Sequence, residues 1–288
     1  MGTSQSSGGP GGGVPMVPPW TPDPPADDAP PDAPSTEGDA APADEDDGVA
    51  PNAPAPVLAP IPVAPPARFS GARRSLGNYA RTGNGHDLRR SLGHYIRTGY
   101  GGSGTATLRF GGTAATAGVL GGALANVAVG QPAAPGSPLD PALLAGRSAQ
   151  EVMDAVVEAV RPIDGTLDTE AAREGIRDAL SELLTRFPKA DLLNLDAEQR
   201  SFAIERFTAS DISRRFVLDV GKTIFDKAPS AASALSRLKQ VRDYIKEVVA
   251  ASFRKLRGAG RTLTAGRIGQ VVRDALREAF QVFEGYVE

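Results

Sequence analysis

No cysteine occurs anywhere in the 288-residue chain. That absence excludes disulfides, thiolate zinc sites and cysteine nucleophiles, and it is compatible with a reducing, cytoplasmic setting. Histidine is nearly absent as well: only His86 and His94 occur, eight residues apart. Two histidines without a thiolate do not complete a structural zinc site, and neither stands in an HExxH spacing. Both are read as solvated or hydrogen-bonded imidazoles, and no metal and no cofactor is expected. Lysine and arginine are missing from residues 1–67, and with them the basic flank that opens a secretory signal. Nowhere does the chain alternate apolar and polar residues with a period of two, so strands are not expected.

The phosphate-binding motifs are absent too. Gly221-Lys222-Thr223 resembles the end of a P-loop, but Phe216 stands where the first glycine belongs, and the tripeptide sits in a helical pattern. The run Gly8–Gly13 has no strand before it, so it is no dinucleotide fingerprint. Acids on the helical segments pair with arginines at helical spacing and read as solvated faces. No catalytic residues emerge, no small-molecule substrate is implied, and the chain is not expected to be an enzyme.

What is present is arranged in blocks of contrasting charge. Residues 1–67 hold ten acids and no base, residues 68–110 hold eight arginines against Asp87 alone, and the remainder balances. The first block divides again. Residues 1–20 form a Gly-rich tip, with six glycines between Gly2 and Gly13, closed by Val14-Pro15-Met16-Val17-Pro18-Pro19-Trp20, which carries the only tryptophan. Ordering so many glycines costs entropy with nothing buried in return. The tip is therefore either an inert leader or a peptide presented to a partner through Thr3, Ser4, Pro15, Pro18, Pro19 and Trp20. Residues 21–67 form an acidic Pro/Ala/Asp tract suited to a solvated polyproline-type linker, expected to be disordered. Its acids also suit an intramolecular mask over the neighbouring arginines.

Residues 68–130 are an Arg/Gly-rich region built on a sixteen-residue repeat. Arg73-Arg74-Ser75-Leu76-Gly77-Asn78-Tyr79-Ala80-Arg81 returns as Arg89-Arg90-Ser91-Leu92-Gly93-His94-Tyr95-Ile96-Arg97. Each copy predicts a helix of about two turns with Leu and Tyr three apart on one face, stopped by glycine. Two readings stand. Arg73, Arg74, Arg81, Arg89, Arg90 and Arg97 with Tyr79 and Tyr95 form a nucleic-acid or phosphate-contacting set, guanidinium on phosphate and ring on base. Alternatively the Leu/Tyr face packs on the body and the arginines meet water, acids or a protein partner.

Gly111–Gly130 is uncharged but rich in Gly, Ala and Thr, with Gly118 and Gly122 at GxxxG spacing. It predicts a closely packed helix within a bundle rather than a membrane span. A Pro/Gly hinge over 131–147 then leads to an all-α domain, 148–288. Six amphipathic helices are expected there. Ser148–Glu151 is a capping box, a second helix starts near Asp168/Thr169, and Asp196–Gln199 caps a third. A fourth is expected from about Asp211 with Phe225 inward. A long one over 231–257 would bury Leu235, and a last one begins after Thr264. The fold class is a helical bundle preceded by a long disordered Gly/Pro/Asp-rich region.

The opening Met1-Gly2-Thr3-Ser4, Ser6-Ser7, the Gly-Pro-Gly-Gly run and the Val-Pro-Pro-Trp close resemble the start of QatB proteins of the bacterial Qat anti-phage systems. The resemblance continues in outline through the Arg/Gly-rich middle and the helical end. It implies partners: a QueC-like enzyme (QatC), an ATPase (QatA) and a TatD-like nuclease (QatD). QueC-type enzymes use ATP to activate a carboxylate on a 7-deazaguanine and pass it to a nitrogen nucleophile. With Met1 removed, Gly2 presents an unhindered amine whose ordinary pKa is about 7.7–8.0, partly neutral near pH 7. The resemblance thus implies Gly2 as a modification site, carrying an N-terminal amide. Met-Gly-x-x-x-Ser also fits N-myristoylation, a match read as accidental in a bacterial chain.

Overall fold

The computed structural model describes residues 67–131, 136–264 and 266–287. The Gly-rich tip and nearly all of the acidic tract lie outside them. Among the described residues there is no strand, and the architecture is all-α, as expected from the sequence.

The first repeat forms α1 (Ser70–Thr82). It ends where the sequence places its stop: Gly83 takes a left-handed φ of 75° and donates its N–H to the Tyr79 carbonyl. The second copy forms α2 (Gly85–His94), capped by the Asn84 side chain on the His86 N–H. This copy runs on through a π-helical turn, Tyr95–Gly99. Gly99 is buried, and a methyl group there would lie 2.5 Å from the Phe69 ring. Two copies of one sequence therefore end differently, each set by its neighbours.

Two further helices come next, α3 (Ser103–Arg109) and α4 (Gly111–Ala128). The uncharged segment packs closely, as expected, but through a different pair of glycines. A methyl on Gly118 would reach the Gly269 backbone at 3.7 Å, and one on Gly121 would collide with Ile268 and Ile204. Gly122 faces open space. No helix among the described residues is long and apolar enough to cross a membrane.

After the short α5 (Pro141–Leu144) come α6 (Ala149–Val160) and α7 (Leu167–Arg186). The Ser148–Glu151 capping box forms in full, and Thr166 caps α7. Asp196 and Gln199 close a second capping box at the start of α8 (Ala197–Phe216). The break expected near Asp211 does not occur. Ser210, Asp211 and Ser213 have the composition of a helix start, but their side chains are engaged elsewhere: Ser210 Oγ donates to Asp178, Asp211 accepts from Thr113, and Ser213 Oγ donates to the Ala209 carbonyl. The helix instead passes through a π-helical turn, Val217–Gly221, into α9 (Lys222–Lys227). The residue inserted by that turn rotates α9 about the helix axis by about 100°. Phe225, expected inward, is consequently 54% exposed.

The long α10 (Ala231–Gly258) buries Ala234, Val241, Ile245, Val249 and Phe253, while Leu235, one position off that stripe, is 62% exposed. Last come α11 (Ile268–Glu284) and a 3-10 turn, Gly285–Val287. Helix α8 packs against α4, α7 and α10, and α11 against α2, α3, α4 and α10. One continuous core runs from Phe69 to Phe283, and the described residues form a single unit. The repeat helices contribute to that core directly, α1 lying against α9 and α2 against the end of the chain.

Candidate functional site

Gly2, Thr3, Ser4, Pro15, Pro18, Pro19 and Trp20 lie outside the described residues. The repeat lies within them, and its two halves have different fates. Leu76, Tyr79, Leu92 and Tyr95 are all buried. The Tyr79 hydroxyl donates to Gln240 Oε1 at 2.7 Å, and the Tyr95 hydroxyl to Asp219 Oδ2 at 2.8 Å. Tyr95 also stacks on Phe69 with ring centroids 5.2 Å apart, and Phe216 meets it edge-on. Neither tyrosine face is open for a base to stack on, which removes Tyr79 and Tyr95 from the nucleic-acid set. The cause is burial of the Leu/Tyr face in the body.

The six repeat arginines remain exposed, in separate settings. Arg73 donates to the Asp219 carbonyl at 3.0 Å, and Arg81 to the Asn78 side chain. Arg89 lies over the Tyr244 ring. Arg97 donates to the Val287 carbonyl, and together with Arg74 and Arg90 it surrounds His94. Partial burial, then the charges of Arg90, Arg74 and Arg97, hold the His94 pKa below its ordinary value. Arg74, Arg90 and Arg97 thus act on one imidazole, that of His94.

A second arginine-rich place has no counterpart among the motifs of the sequence. Where the π-helical turn after α2 meets the one after α8, Asp219 accepts hydrogen bonds from both Tyr95 and Tyr100. Burial and the Asp219 charge push the Tyr100 pKa up to about 12, and burial, the first cause for Tyr95 too, holds that hydroxyl well above its ordinary value. Beside this junction lies a cleft of two neighbouring chambers. One, about 440 Å³, is lined by Arg68, Tyr100, Leu108, Leu218 and Asp219. The other, about 230 Å³, is lined by Gly112, Thr113, Thr116, Arg161 and Asp211. Arg109, Asp168 and Arg215 border both.

Arg215 organises the wall between the chambers. Its Nε lies 3.2 Å from Asp211 Oδ2, its Nη1 3.5 Å from Asp168, and its guanidinium over the Phe110 ring. Asp211 takes the Thr113 hydroxyl on the same oxygen, Oδ2. Its other oxygen, Oδ1, is buried and has no hydrogen-bond partner, and neither has the buried Arg161 Nε. The only sequence signal for this place is weak: an uncharged helix beginning Gly-Gly-Thr after an arginine, and an Asp-Arg pair four apart at 211 and 215. Their meeting depends on α4 packing on α8, a contact that no local pattern announces.

Fold and cleft together define an all-α body with an arginine-lined polar cavity. No group of three or more metal-ligating side chains is assembled among the described residues. A family model, the Qat anti-phage system associated protein QatB, matches residues 101–283, well over half of the chain, and the chain belongs to that family. The match spans α3 to α11, including every cleft residue except Arg68 and Tyr100, and starts after the arginine repeat. Family membership makes the chain a component of an anti-phage defence system. No curated protein and no solved structure matches it.

Proposed function

We propose that this chain is a non-enzymatic, cytoplasmic component of an anti-phage defence complex whose N-terminal glycine peptide is bound and modified by a QueC-like partner. The observation that carries the reading is membership of the QatB family, joined to the sequence Met1-Gly2-Thr3-Ser4 at the head of a Gly-rich tip. After removal of Met1 the Gly2 amine attacks a 7-deazaguanine carboxylate that the partner has activated with ATP. A carbon–nitrogen bond forms as the activated carbon–oxygen bond breaks. The leaving group departs with that oxygen and the amine gives up a proton. A residue without a side chain enters a narrow active site, the Thr3 and Ser4 hydroxyls orient it, and Pro15, Pro18, Pro19 and Trp20 grip the partner's surface. The acidic tract is the tether, and the helical body docks QatC, with QatA and QatD as further members of the assembly.

The test is the intact mass of the full chain, with fragmentation of its N-terminal peptide, after expression with and without the neighbouring genes. A partner-dependent amide on Gly2 is the expected result. An unmodified glycine beside an active partner overturns the modification, and Trp20→Ala then separates a docking tail from an inert one.

A second reading is favoured by the gathering of Arg74, Arg90 and Arg97 around His94: the repeat contacts nucleic acid through phosphates alone. Binding that falls steeply with salt, and is lost in the triple alanine variant, would support it. Indifference of both proteins to DNA and RNA would end it.

A further inference from the structure

A cavity that shares no residue with the cleft is lined from the end of α7, the start of α8 and the end of α10. It holds about 900 Å³, room for a ligand of nucleotide size. Helical spacing builds one wall: Ser201, Phe202 and Glu205 lie three and four residues apart on α8 and share a face. Phe187, at the C-cap of α7, meets Phe202 edge-on with ring centroids 5.6 Å apart. Both rings are half-buried and line the cavity. Such rings offer a surface on which a planar ring stacks.

Glu205 sets the requirement on the occupant. Its side chain is 8% exposed and lines the cavity. Its one polar partner among the described residues is Arg257, whose Nη2 stands 3.5 Å from Oε2. Oε1 has none, yet it is not sealed within the protein. Burial raises the Glu205 pKa, against the charges of Arg257, Arg206 and Arg254. A carboxylate taken out of water with so few donors is costly, and both oxygens keep lone pairs for N–H groups. Two cations stand at the same cavity. Arg186, exposed and over the Phe187 ring, is in no ion pair among the described residues. Arg257 is 43% exposed and divided between Glu205 and the Ser201 hydroxyl. Glu198, the other carboxylate of the lining, is exposed to water. The occupant therefore brings a planar ring for the phenylalanines, N–H donors for Glu205 and negative charge for the arginines.

We propose that this cavity binds a guanine mononucleotide, with the base against Phe187 and Phe202, its N1–H and N2 amine donating to Glu205, and its phosphate held by Arg186 and Arg257. Guanine is the base that offers a carboxylate two adjacent donors. Adenine and cytosine place a ring-nitrogen acceptor beside their amine, which repels the carboxylate, and uracil flanks its one N–H with two carbonyls. Discrimination of this kind is strong, because the wrong base leaves the buried acceptor unpaired. The arginines take the phosphate as charge-assisted donors.

The test is calorimetric titration, at pH 7, of the full chain expressed without its neighbouring genes. GMP is expected to bind at least about tenfold more tightly than AMP, with IMP, which keeps N1–H and lacks the amine, between them. Arg186→Gln is expected to weaken GMP about tenfold and to leave guanosine unchanged. Glu205→Gln is the decisive variant. Its amide donates as well as accepts and suits the edge of adenine as well as that of guanine, so GMP should weaken about tenfold and its preference over AMP disappear. Should Glu205→Gln fail to fold, the order GMP, IMP, AMP and the Arg186→Gln variant carry the test. Equal affinity of the unaltered chain for GMP and AMP overturns the proposal. So does a guanine preference that survives Glu205→Gln, or no binding of GMP at millimolar concentration. A guanine-containing oligonucleotide that binds where GMP does not also overturns it, and would make the cavity part of a nucleic-acid surface. None of these results depends on whether Gly2 is modified.

Discussion

The sixteen-residue repeat contains a controlled comparison. Gly77 and Gly93 occupy equivalent positions, both buried, both inside helices and both followed two residues later by a buried tyrosine. Alanine at either position gains about 0.8–1 kcal/mol of helix propensity, because the unfolded chain loses less freedom on folding. The surroundings then decide. A methyl on Gly77 would lie 3.5 Å from Lys227 Cγ and Thr223 Cγ2, ordinary van der Waals contact. A methyl on Gly93 would lie 2.5 Å from Val287 Cγ2 and 3.0 Å from the Phe283 carbonyl oxygen. Val287 sits on a short turn and can shift. The carbonyl belongs to the last turn of α11 and accepts the Gly285 N–H, so it cannot retreat without loosening that end. Overpacking of this kind costs about 1–3 kcal/mol.

Gly77→Ala is therefore expected to raise stability by about 1 kcal/mol, and Gly93→Ala to leave it unchanged or lower it by up to about 2 kcal/mol. The assay is urea denaturation of the full chain followed by far-UV circular dichroism, comparing midpoints at matched slopes. Equal shifts in the two variants, or a Gly93→Ala protein more stable than Gly77→Ala, would refute the packing of α2 against the end of the chain.

His94 is expected to titrate below 6.5 in the folded protein, since burial and then Arg90, Arg74 and Arg97 disfavour its protonated form. Its folded pKa being depressed, the stability linked to it is complete above about 6.5 and falls as pH drops toward the folded value. Imidazole shifts followed by NMR, with His94→Gln removing that part of the pH dependence, check both the position and the sign. Asp219→Ala leaves the Tyr95 and Tyr100 hydroxyls without their acceptor. It is expected to cost about 1–3 kcal/mol in the same urea assay. In the unaltered protein ultraviolet titration should find Tyr100 ionising at about 12, burial being the main cause.

Local signals carry the sequence reading where the decisive forces are local. Ser148 and Glu151, like Asp196 and Gln199, cap helices because the two side chains and the backbone donors they satisfy lie within one turn. The Leu/Tyr face of the repeat is legible for the same reason, its spacing being helical and its partner any apolar surface. The reading fails where a distant element takes over a side chain. Ser210-Asp211-Ile212-Ser213 has the composition of a helix start and is the middle of a helix, because Asp178 and Thr113 from other helices occupy the side chains that a cap would use. Tyr79 and Tyr95 are residues that stack on bases when exposed, and here Gln240 and Asp219, more than a hundred positions away, draw their hydroxyls into the body.

The cleft is the strongest case of the same rule. Its chemistry arises where α4, α7 and α8 meet, so no window of sequence contains it. Asp211 in particular joins elements that a sequence pattern keeps apart: its Oδ2 takes the Thr113 hydroxyl from α4 and the Arg215 guanidinium one turn along α8, while its Oδ1 is buried with no hydrogen-bond partner. Asp211→Asn preserves shape and removes the charge that faces Arg215, and is therefore expected to lower the urea midpoint, because breaking a buried pair from one side leaves the other charge uncompensated. An unchanged midpoint would refute the role of this carboxylate in tying α4 to α8.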